Sequence, residues 1–291
     1  MVRAYSPLRY PGGKTKLYAY VKYLIQLNEI ENCTYIEPFS GGAGLAMKLL
    51  VKGDVQRVVL NDLDNSIHSF WYAVLNDTKK FIKMIEDTPV TIDEWRNQKI
   101  IHEQQKDDPY SFYGGFATFY LNRTNFSGII NGSPIGGFDQ SGKNKIDCRF
   151  TKQDLIARIS LVANLETQID LFHRDASELI DIIDERYDKR DSFVFFDPPY
   201  FSQGKNLYLK FIDEEKHQEL FNKIMELNNY RWITTYDVHE QIADIYQEVK
   251  HKYKYRIQYS ANKKSKASEF IFASPVTKIQ DYGEITLEKI K

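Results

Sequence analysis

The N-terminal part of the chain alternates short apolar runs with helical patterns. Residues 34–36 and 57–60 are apolar runs of strand length, and residues 45–51 between them have the spacing of a helix. Glycines punctuate residues 38–44, and another helical pattern extends through about Leu27. A strand, a helix and a second strand in this order predict a βαβ unit with parallel strands and a right-handed crossover.

The C-terminal half repeats this pattern. Residues 169–172, 193–196 and 232–235 predict strands, and the run at 193–196 is apolar enough for burial on both faces of a sheet. Residues 177–187 and 214–227 have helical spacing. Alternating strands and helices predict an α/β fold with a doubly wound, mostly parallel, Rossmann-like sheet.

The middle of the chain has a different pattern. Residues from about 67 to 164 are mostly helical, and a glycine-rich stretch at 128–142 carries Asn-Gly and Gly-Gly turn signals between apolar residues. Such a stretch predicts either a β-hairpin or an extended loop. We therefore expect a helical and hairpin insertion domain between two halves of one sheet domain.

Length and composition allow this organisation. The 291 residues suffice for one large domain with an insert, and 42% hydrophobic content provides a core. Cys33 and Cys148 are too few for a disulfide framework and form no CxxC pair. No apolar run reaches membrane-spanning length, and the N-terminus has no apolar signal region. The expectation is a soluble protein of the reducing cytoplasm.

The charge distribution restricts the kind of nucleic-acid surface that the chain can have. A net charge of −1 excludes a polycation, so such a surface must be local. Two segments are candidates, and a solvated face is the alternative interpretation of each. Residues 249–268 contain Lys263 and Lys264 among several basic residues and no acidic one, and the second segment holds Lys143, Lys145, Arg149 and Lys152.

Two glycine clusters suggest nucleotide binding. Residues 12–15 end like a phosphate-binding loop, but Leu8 stands where its first glycine is required and no strand precedes it. Gly42 and Gly44 follow a strand and open a helix, yet Met47 occupies the third position of the dinucleotide fingerprint. The second cluster therefore disfavours a nicotinamide cofactor.

A cofactor without phosphates needs less from this turn. Gly41, Gly42 and Gly44 allow a close backbone approach, which is all that such a cofactor requires. Asp62 ends the second predicted strand, where a carboxylate can accept hydrogen bonds from a ribose diol. A helix N-cap or a surface turn is the structural alternative for Asp62 alone. Together with the glycines, it favours a binding site.

The sequence Asp197-Pro198-Pro199-Tyr200 ends a buried strand, where open α/β sheets bind ligands. The two prolines remove backbone donors and keep the chain extended. The Asp197 carboxylate and the Pro198 carbonyl then form a pair of acceptors for the two hydrogens of an amino group. The Tyr200 ring provides a surface on which a planar base can stack.

This acceptor pair suits the methylation of an exocyclic amino group. The lone pair of adenine N6 is delocalised into the ring, and accepting both N6 hydrogens directs it toward a sulfonium methyl group. Asp197 also stabilises the positive charge that develops on nitrogen. The chemistry requires no metal ion, and the same pair would also suit the N4 amino group of cytosine.

These motifs together resemble the D12 class of DNA adenine-N6 methyltransferases. Five segments carry the resemblance in order along nearly the whole chain: residues 9–14 (RYPGGK), 37–44 (EPFSGGAG), 61–64 (NDLD), 120–128 (YLNRTNFSG) and 197–200 (DPPY). The resemblance implies S-adenosylmethionine as the methyl donor and double-stranded DNA as the substrate. It also implies that the target base is flipped out of the duplex, and it allows a cognate restriction endonuclease as a further partner.

The resemblance also implies residue roles. Tyr10, Lys14, Asp62 and Asp197 match positions that bind S-adenosylmethionine, and Tyr10 replaces a tryptophan of some members, so only aromatic stacking carries over. Asp175 resembles the residue that contacts the adenine amino group of the cofactor, with a helix cap as the alternative. Glu37 is expected near the methionine end.

The family's middle insertion recognises the target. By resemblance, residues 67–166 form this target-recognition domain, and residues 1–66 with 167–291 form the catalytic domain. Expected contacts to DNA are Arg123, Asn125, Lys143, Lys145 and Arg149, with Lys263 and Lys264 on phosphates. Residues 141–147 depart from the family's GATC-reading hairpin, so the target sequence stays open.

Four alternatives remain at the level of sequence. They are cytosine-N4 methylation, an RNA substrate, a DNA-binding protein without activity, and a nicotinamide-dependent oxidoreductase. The DNA-recognition segment disfavours RNA, and the intact Asp197 and Tyr200 disfavour an inactive protein. Met47 disfavours the oxidoreductase.

Overall fold

A computed structural model describes residues 5–10, 12–201, 214–259 and 265–290. Its centre is a sheet of eight strands in the order β3-β2-β1-β4-β5-β7-β6-β8. The strands are β1 (Thr34–Glu37), β2 (Arg57–Asn61), β3 (Ile169–Phe172), β4 (Ser192–Phe196), β5 (Arg231–Asp237), β6 (His251–Tyr259), β7 (Ser265–Ala273) and β8 (Glu288–Lys289).

Helices cover the sheet and fill the crossover between β2 and β3. The described α-helices are α1 (Tyr18–Leu27), α2 (Gly44–Val51), α3 (Asn65–Asn76), α4 (Thr78–Asp87), α5 (Ile92–Gln105), α6 (Phe112–Thr124), α7 (Lys152–Ala163), α8 (Ala176–Arg186), α9 (Glu214–Glu226) and α10 (Glu240–Ile245). None of these helices combines the length and apolar character needed to cross a membrane.

The pairing of the first five strands confirms the predicted fold. β1 pairs in parallel with β2 and with β4, β2 with β3, and β4 with β5. The strand order therefore reverses between β1 and β4. In open α/β sheets, the crevice beyond the carboxyl ends of such strands is where ligands bind.

Both faces of the parallel strands are buried, because alternate side chains point to opposite sides. On one face, Tyr35 and Phe193 join a core cluster with α1, α2 and the insertion helices. On the other face, Ile36 and Val194 join a second cluster with α8, α9 and α10. This two-sided burial explains why the strands are continuous apolar runs.

A β-hairpin at the C-terminal end was not predicted. β6 and β7 pair antiparallel over their full length, and β7 also pairs antiparallel with β5, placing Glu269 opposite Asp237. The basic stretch at 249–268 thus consists largely of two sheet strands. Lys263 and Lys264 lie outside the described residues.

The insertion packs directly on the sheet domain. Phe70 of α3 and Phe116 of α6 belong to the same core cluster as Leu24 of α1. α3 and α6 approach so closely that a Cβ atom added at Gly115 would lie 2.3 Å from the Ser69 carbonyl oxygen. The insertion helices therefore share a hydrophobic core with the sheet, and the domain boundaries at 66 and 167 stay a prediction.

The glycine-rich stretch at 128–142 forms a series of turns. An isolated antiparallel bridge joins Asn125 to Pro134, and no ladder of strand pairs follows it within the described residues. Gly136 and Gly137 have φ values of 88° and 78°, a backbone region that favours glycine. Of the two predicted alternatives, the structure shows the loop.

Candidate active site

A cavity of about 930 Å³ lies at the carboxyl ends of β1, β2 and β4. Its walls bring together residues that are far apart in the sequence. Every residue predicted to bind the cofactor lines it: Tyr10, Lys14, Glu37, Gly41, Gly42, Gly44, Asp62, Asp175 and Asp197. The roles of the individual residues stay predictions, but their convergence on one cavity is a property of the structure.

Asp197 follows β4 directly and is held by two donors. The Lys14 ammonium lies 3.1 Å from Asp197 Oδ1, and the Thr235 hydroxyl donates a hydrogen bond of 2.8 Å to the same oxygen. The Asp197 side chain is 22% exposed, whereas that of Lys14 is only 4% exposed. The carboxylate is thus oriented from inside the protein while part of it faces the cavity.

The surroundings of Asp197 change its acidity. Burial raises the pKa of Asp197 above its usual value, and the Glu269 carboxylate adds to this effect. The Lys14 ammonium and the Thr235 hydroxyl lower the pKa, because both stabilise the charged form. The resulting carboxylate has a higher proton affinity than an exposed aspartate.

Lys14 also connects residues 197–200 to the N-terminal loop. Its ammonium donates 2.6 Å to the Tyr200 hydroxyl and 3.2 Å to the Gly12 carbonyl oxygen. Pro198 is buried, and among the described residues we find no donor to its carbonyl oxygen. Pro198 is not among the residues that line the cavity, and its role as the second acceptor stays a prediction.

Glu37 ends β1 inside the cavity wall. The Tyr35 hydroxyl donates 2.9 Å to Glu37 Oε1, and the side chain is buried. Burial raises the pKa of Glu37 to about 8, and the nearby Asp197 adds to this rise. Glu37 therefore exchanges a proton near neutral pH.

The glycine turn accommodates the N-terminal loop. A Cβ atom at Gly41 would lie 2.7 Å from the Tyr10 ring, and one at Gly42 would lie 2.8 Å from the Tyr10 Cβ atom. Gly41 also has a φ of 47°, which only glycine adopts readily. The sequence predicted a close approach of the cofactor to these glycines. In the structure, it is the Tyr10 ring that approaches them.

Asp62 is fixed by the backbone around it. Its Oδ2 accepts 2.8 Å from the Gly41 amide, and its Oδ1 accepts 2.9 Å from the Asp64 amide. The N-terminal cap of α3 is Asp64, whose side chain accepts from the Ser66 amide. The alternative in which Asp62 caps the helix is therefore wrong.

Asp175 caps a helix, as the structural alternative predicted, and its contact with the cofactor stays a prediction. Its side chain accepts 2.9 Å from the Ser177 amide and caps α8. It also lines the cavity, so the cap fixes a carboxylate that can still contact a ligand.

The comparison with known proteins decides the family. The sequence model of the D12 class N6 adenine-specific DNA methyltransferases matches residues 10–261. The chain belongs to this family. This methyltransferase therefore acts on adenine in DNA. The chemistry of residues 197–200 alone had left open the choice between adenine and cytosine.

Individual relatives agree with this assignment. The chain is 27% identical to the Type II methyltransferase M.CviBI of Paramecium bursaria Chlorella virus NC1A over 86% of this chain and 91% of that protein. It is 26% identical to the Type II methyltransferase M.MjaIII of Methanocaldococcus jannaschii over 66% of this chain and 68% of that protein.

Among solved structures, the rRNA methyltransferase aviRa from Streptomyces viridochromogenes aligns with a TM-score of 0.40 and 12% identity. The alignment covers 92% of this chain and 88% of that chain.

Two residues predicted to contact DNA are buried in this methyltransferase. The Arg123 guanidinium donates two hydrogen bonds, of 2.9 and 2.5 Å, to the Arg149 carbonyl oxygen. Asn125 is fully buried, accepting from the Trp95 indole and donating to the carbonyl oxygens of Ile129 and Ile130. Both side chains therefore have partners inside the protein, and their contact with DNA stays a prediction.

The remaining candidates for DNA contact lie at the surface. Lys143, Lys145 and Arg149 are exposed, and the Lys145 ammonium donates to the Gln140 carbonyl oxygen. Arg149 adjoins a cluster of like charges, because Arg9, Arg149 and Arg158 all lower the pKa of Arg123, after the larger effect of burial. Together these effects lower the pKa of Arg123 to about 9.

Sequence reasoning missed two polar residues of the catalytic centre. Thr235 belongs to an apolar strand, β5, where its hydroxyl gave no signal. Glu269 lies on β7 behind a basic stretch and outside any motif, yet its carboxylate comes within 4.0 Å of the Lys14 ammonium. Only the pairing of β7 with β5 brings it there.

Proposed function

We propose that this methyltransferase transfers the methyl group of S-adenosylmethionine to N6 of an adenine that is flipped out of double-stranded DNA at a specific sequence. The observation that carries the proposal is the position of Asp197. Its carboxylate is held by Lys14 and Thr235 at the end of β4 and faces the same cavity as Asp62 and the glycine turn.

The residues of the cavity fit this methyl donor. The Tyr10 ring, which lines the cavity, would stack on the cofactor's adenine ring, and the half-buried Asp62, held by backbone amides, would accept hydrogen bonds from the ribose hydroxyls. Asp175 would contact the adenine amino group. Glu37 and Lys14 would hold the charged methionine end. When bound, the cofactor supplies the activated methyl group.

The chain's own residues prepare the nucleophile. Asp197 and the Pro198 carbonyl would accept the two N6 hydrogens and direct the nitrogen lone pair toward the methyl group. As the bond forms, the Asp197 carboxylate stabilises the positive charge on nitrogen and is positioned to take up the proton. Tyr200 would stack on the adenine, and its hydroxyl bond to Lys14 fixes the ring.

Base flipping follows from where the acceptors lie. Asp197 is mostly buried, whereas an adenine in a duplex is stacked and paired, so the base must leave the helix at a cost of a few kcal/mol. Phe126 is 64% exposed at the end of α6 and is available to fill the space that the base leaves. Tyr200 or Phe201 would receive the extruded base.

Transfer of labelled methyl groups tests this function directly. We expect the purified protein to label mixed-sequence DNA, and digestion to nucleosides to yield N6-methyladenine. Asp197→Ala should abolish transfer and leave DNA binding largely intact, because the carboxylate contacts the base only after flipping. Label in N4-methylcytosine, or unchanged turnover of the variant, would contradict the proposal.

A restriction endonuclease of the same specificity is a proposed partner, since both relatives are named Type II methyltransferases. Single-base mapping of methylated adenines in an expressing host would identify the target sequence. An endonuclease from the source organism that cuts the unmethylated sequence and spares the methylated one would support the partnership, and cutting of both forms would contradict it.

A further inference from the structure

Lys14 is shared by two carboxylates. Its ammonium lies 3.1 Å from Asp197 Oδ1 and 4.0 Å from Glu269 Oε1. The Lys14 side chain is 4% exposed and that of Glu269 is 2% exposed, so solvent screens little of this interaction. One buried ammonium therefore interacts with two carboxylates, Asp197 and Glu269, and the proposed chemistry uses only Asp197.

The position of Glu269 is strongly determined. β7 pairs with β5 on one side and with β6 on the other, which fixes the strand in the sheet interior. The Tyr255 hydroxyl, from the opposite residue on β6, donates a hydrogen bond to Glu269 Oε2. A buried carboxylate is costly unless it is hydrogen-bonded or paired, and here both conditions are met.

The balance of charge among Lys14, Asp197 and Glu269 affects how strongly Asp197 attracts the positive charge that develops on N6. With Asp197 as its sole partner, Lys14 would neutralise that carboxylate and weaken its attraction for the positive charge that develops on N6. With Glu269 present, the three groups together carry a net negative charge beside the reacting nitrogen. The same effect raises the proton affinity of Asp197.

We propose that Glu269 is a positioning residue for methyl transfer, which competes with Asp197 for Lys14 and so keeps Asp197 a strong acceptor for the adenine amino group. This inference rests on the proposed function of Asp197. It assigns to Glu269 no contact with substrate or cofactor, because its effect passes through Lys14.

Other titratable groups also surround Asp197 and must be separated from this effect. They come from β1, β5 and the catalytic motif, and among the described residues they are Tyr35, Glu37, Tyr200 and Tyr236. Glu37 exchanges its proton near pH 8, so it affects the alkaline side of a pH profile. The acidic side reports on Asp197.

The test compares Glu269→Gln with wild type. We expect kcat to fall about tenfold to a hundredfold, with the acidic limb of the kcat profile displaced to lower pH. The affinities for S-adenosylmethionine and for DNA should stay within about twofold. Glu269→Asp should recover part of the activity, whereas Tyr255→Phe, which keeps the carboxylate, should lose less. An undisplaced acidic limb would overturn the proposal.

A second measurement is independent of turnover. The pH titration of the Asp197 side-chain carboxyl, followed by ¹³C NMR and assigned with Asp197→Asn, should have its midpoint at lower pH in Glu269→Gln. An unchanged midpoint in a folded variant contradicts the role of Glu269, whatever the activity. If the wild type fails to methylate adenine while the midpoint moves as expected, only the proposed function fails. If Glu269→Gln does not fold, Glu269→Met, which also removes the carboxylate, supplies the same comparison, and a wild-type midpoint and profile there would refute the inference.

Discussion

At the scale of single residues, the candidate active site centres on a carboxylate that is held by buried groups among the described residues. Asp197 receives Lys14 from the N-terminal segment and Thr235 from the neighbouring strand. Each donor stabilises the charged carboxylate, while burial and Glu269 oppose it. Catalysis by such preoriented groups is sensitive to the loss of a single bond.

Replacing Thr235 tests this balance. Thr235→Val removes the 2.8 Å hydrogen bond to Asp197 without changing the shape of the buried side chain. A hydrogen bond to a charged group contributes about 1.5–3 kcal/mol, so kcat should fall about tenfold or more. The acidic limb should move to higher pH, opposite to the displacement in Glu269→Gln. Thr235→Ser, which keeps the hydroxyl, is the control, and equal losses in both variants would contradict the explanation.

Glu37 makes the stability of the fold depend on pH. Its pKa of about 8 in the folded protein lies above the ordinary value of 4.5. The folded state thus binds a proton more tightly, and this contribution is present below about pH 4.5 and lost as pH rises through 8. Glu37→Gln should therefore gain in Tm relative to wild type between pH 5 and 8.5. Thermal melts across this range check it, with the exposed Glu185→Gln as control. A constant difference would contradict the role of burial.

The residue scale also shows the limits of sequence reasoning. Most residues predicted to bind the cofactor belong to motifs that follow strand ends, and the parallel pairing of β1, β2 and β4 brings those ends together at one cavity. Glu269 lies outside any motif, on β7, and a basic stretch precedes it in the sequence. Its approach to Lys14 depends on the antiparallel pairing of β7 with β5. Arg123 and Asn125 were predicted to contact DNA from the resemblance of their segment to the family, and the sequence did not show that both side chains are buried with intramolecular partners.

At the scale of elements, apolar runs determined what could be predicted. The parallel strands β1, β2 and β4 are buried on both faces and therefore read as largely apolar segments bounded by turns. β6 alternates lysine with tyrosine and pairs near the sheet edge, so its pattern resembled a solvated basic face. The turn series at 128–142 depends on positive φ values, which glycines permit but do not specify.

The contact between α3 and α6 makes a prediction at this scale. A methyl group at Gly115 would meet the Ser69 backbone at 2.3 Å, whereas one at Gly114 would meet side-chain atoms of Gln105 and Ser111 at 3.1–3.2 Å. Gly115→Ala should lower the free energy of unfolding by about 1–3 kcal/mol, because the two helices must separate. Gly114→Ala, which has the same gain in helix propensity, should be much closer to wild type. Denaturant titrations would show this, and equal stabilities of the two variants would refute it.

At the scale of the whole molecule, a protein with net charge −1 must attract DNA with a local surface. The exposed Arg149 adjoins the cluster formed by Arg9, Arg123 and Arg158, where Asp154 is the one carboxylate among the charges acting on Arg123. Arg158 pairs with Asp154 at 2.5 Å, which leaves the cluster positive. A phosphate of the DNA backbone would be the counterion of this cluster when DNA is bound.

The salt dependence of DNA binding measures this contribution. Arg149→Gln should reduce the slope of log K against log salt by about 1, because one phosphate contact is lost. The substitution leaves the Arg149 carbonyl, and so its bonds from Arg123, unchanged. Arg190→Gln is the matched control, since Arg190 is exposed and lies at the amino-terminal end of β4, whereas the cavity lies at the carboxyl end of that strand. Equal slopes for both variants would exclude Arg149 from the interface.

The Asn122 side chain joins α6 to the N-terminal loop. It accepts 2.8 Å from the Arg9 amide and donates to the carbonyl oxygens of Arg9 and Gly128, at 2.7 and 2.8 Å. The loop that carries Tyr10 and Lys14 is thereby attached to the end of α6. The amide proton of Arg9 can exchange with solvent only when this attachment opens. The hydrogen-exchange protection factor of this one amide would therefore measure how often the N-terminal loop separates from α6.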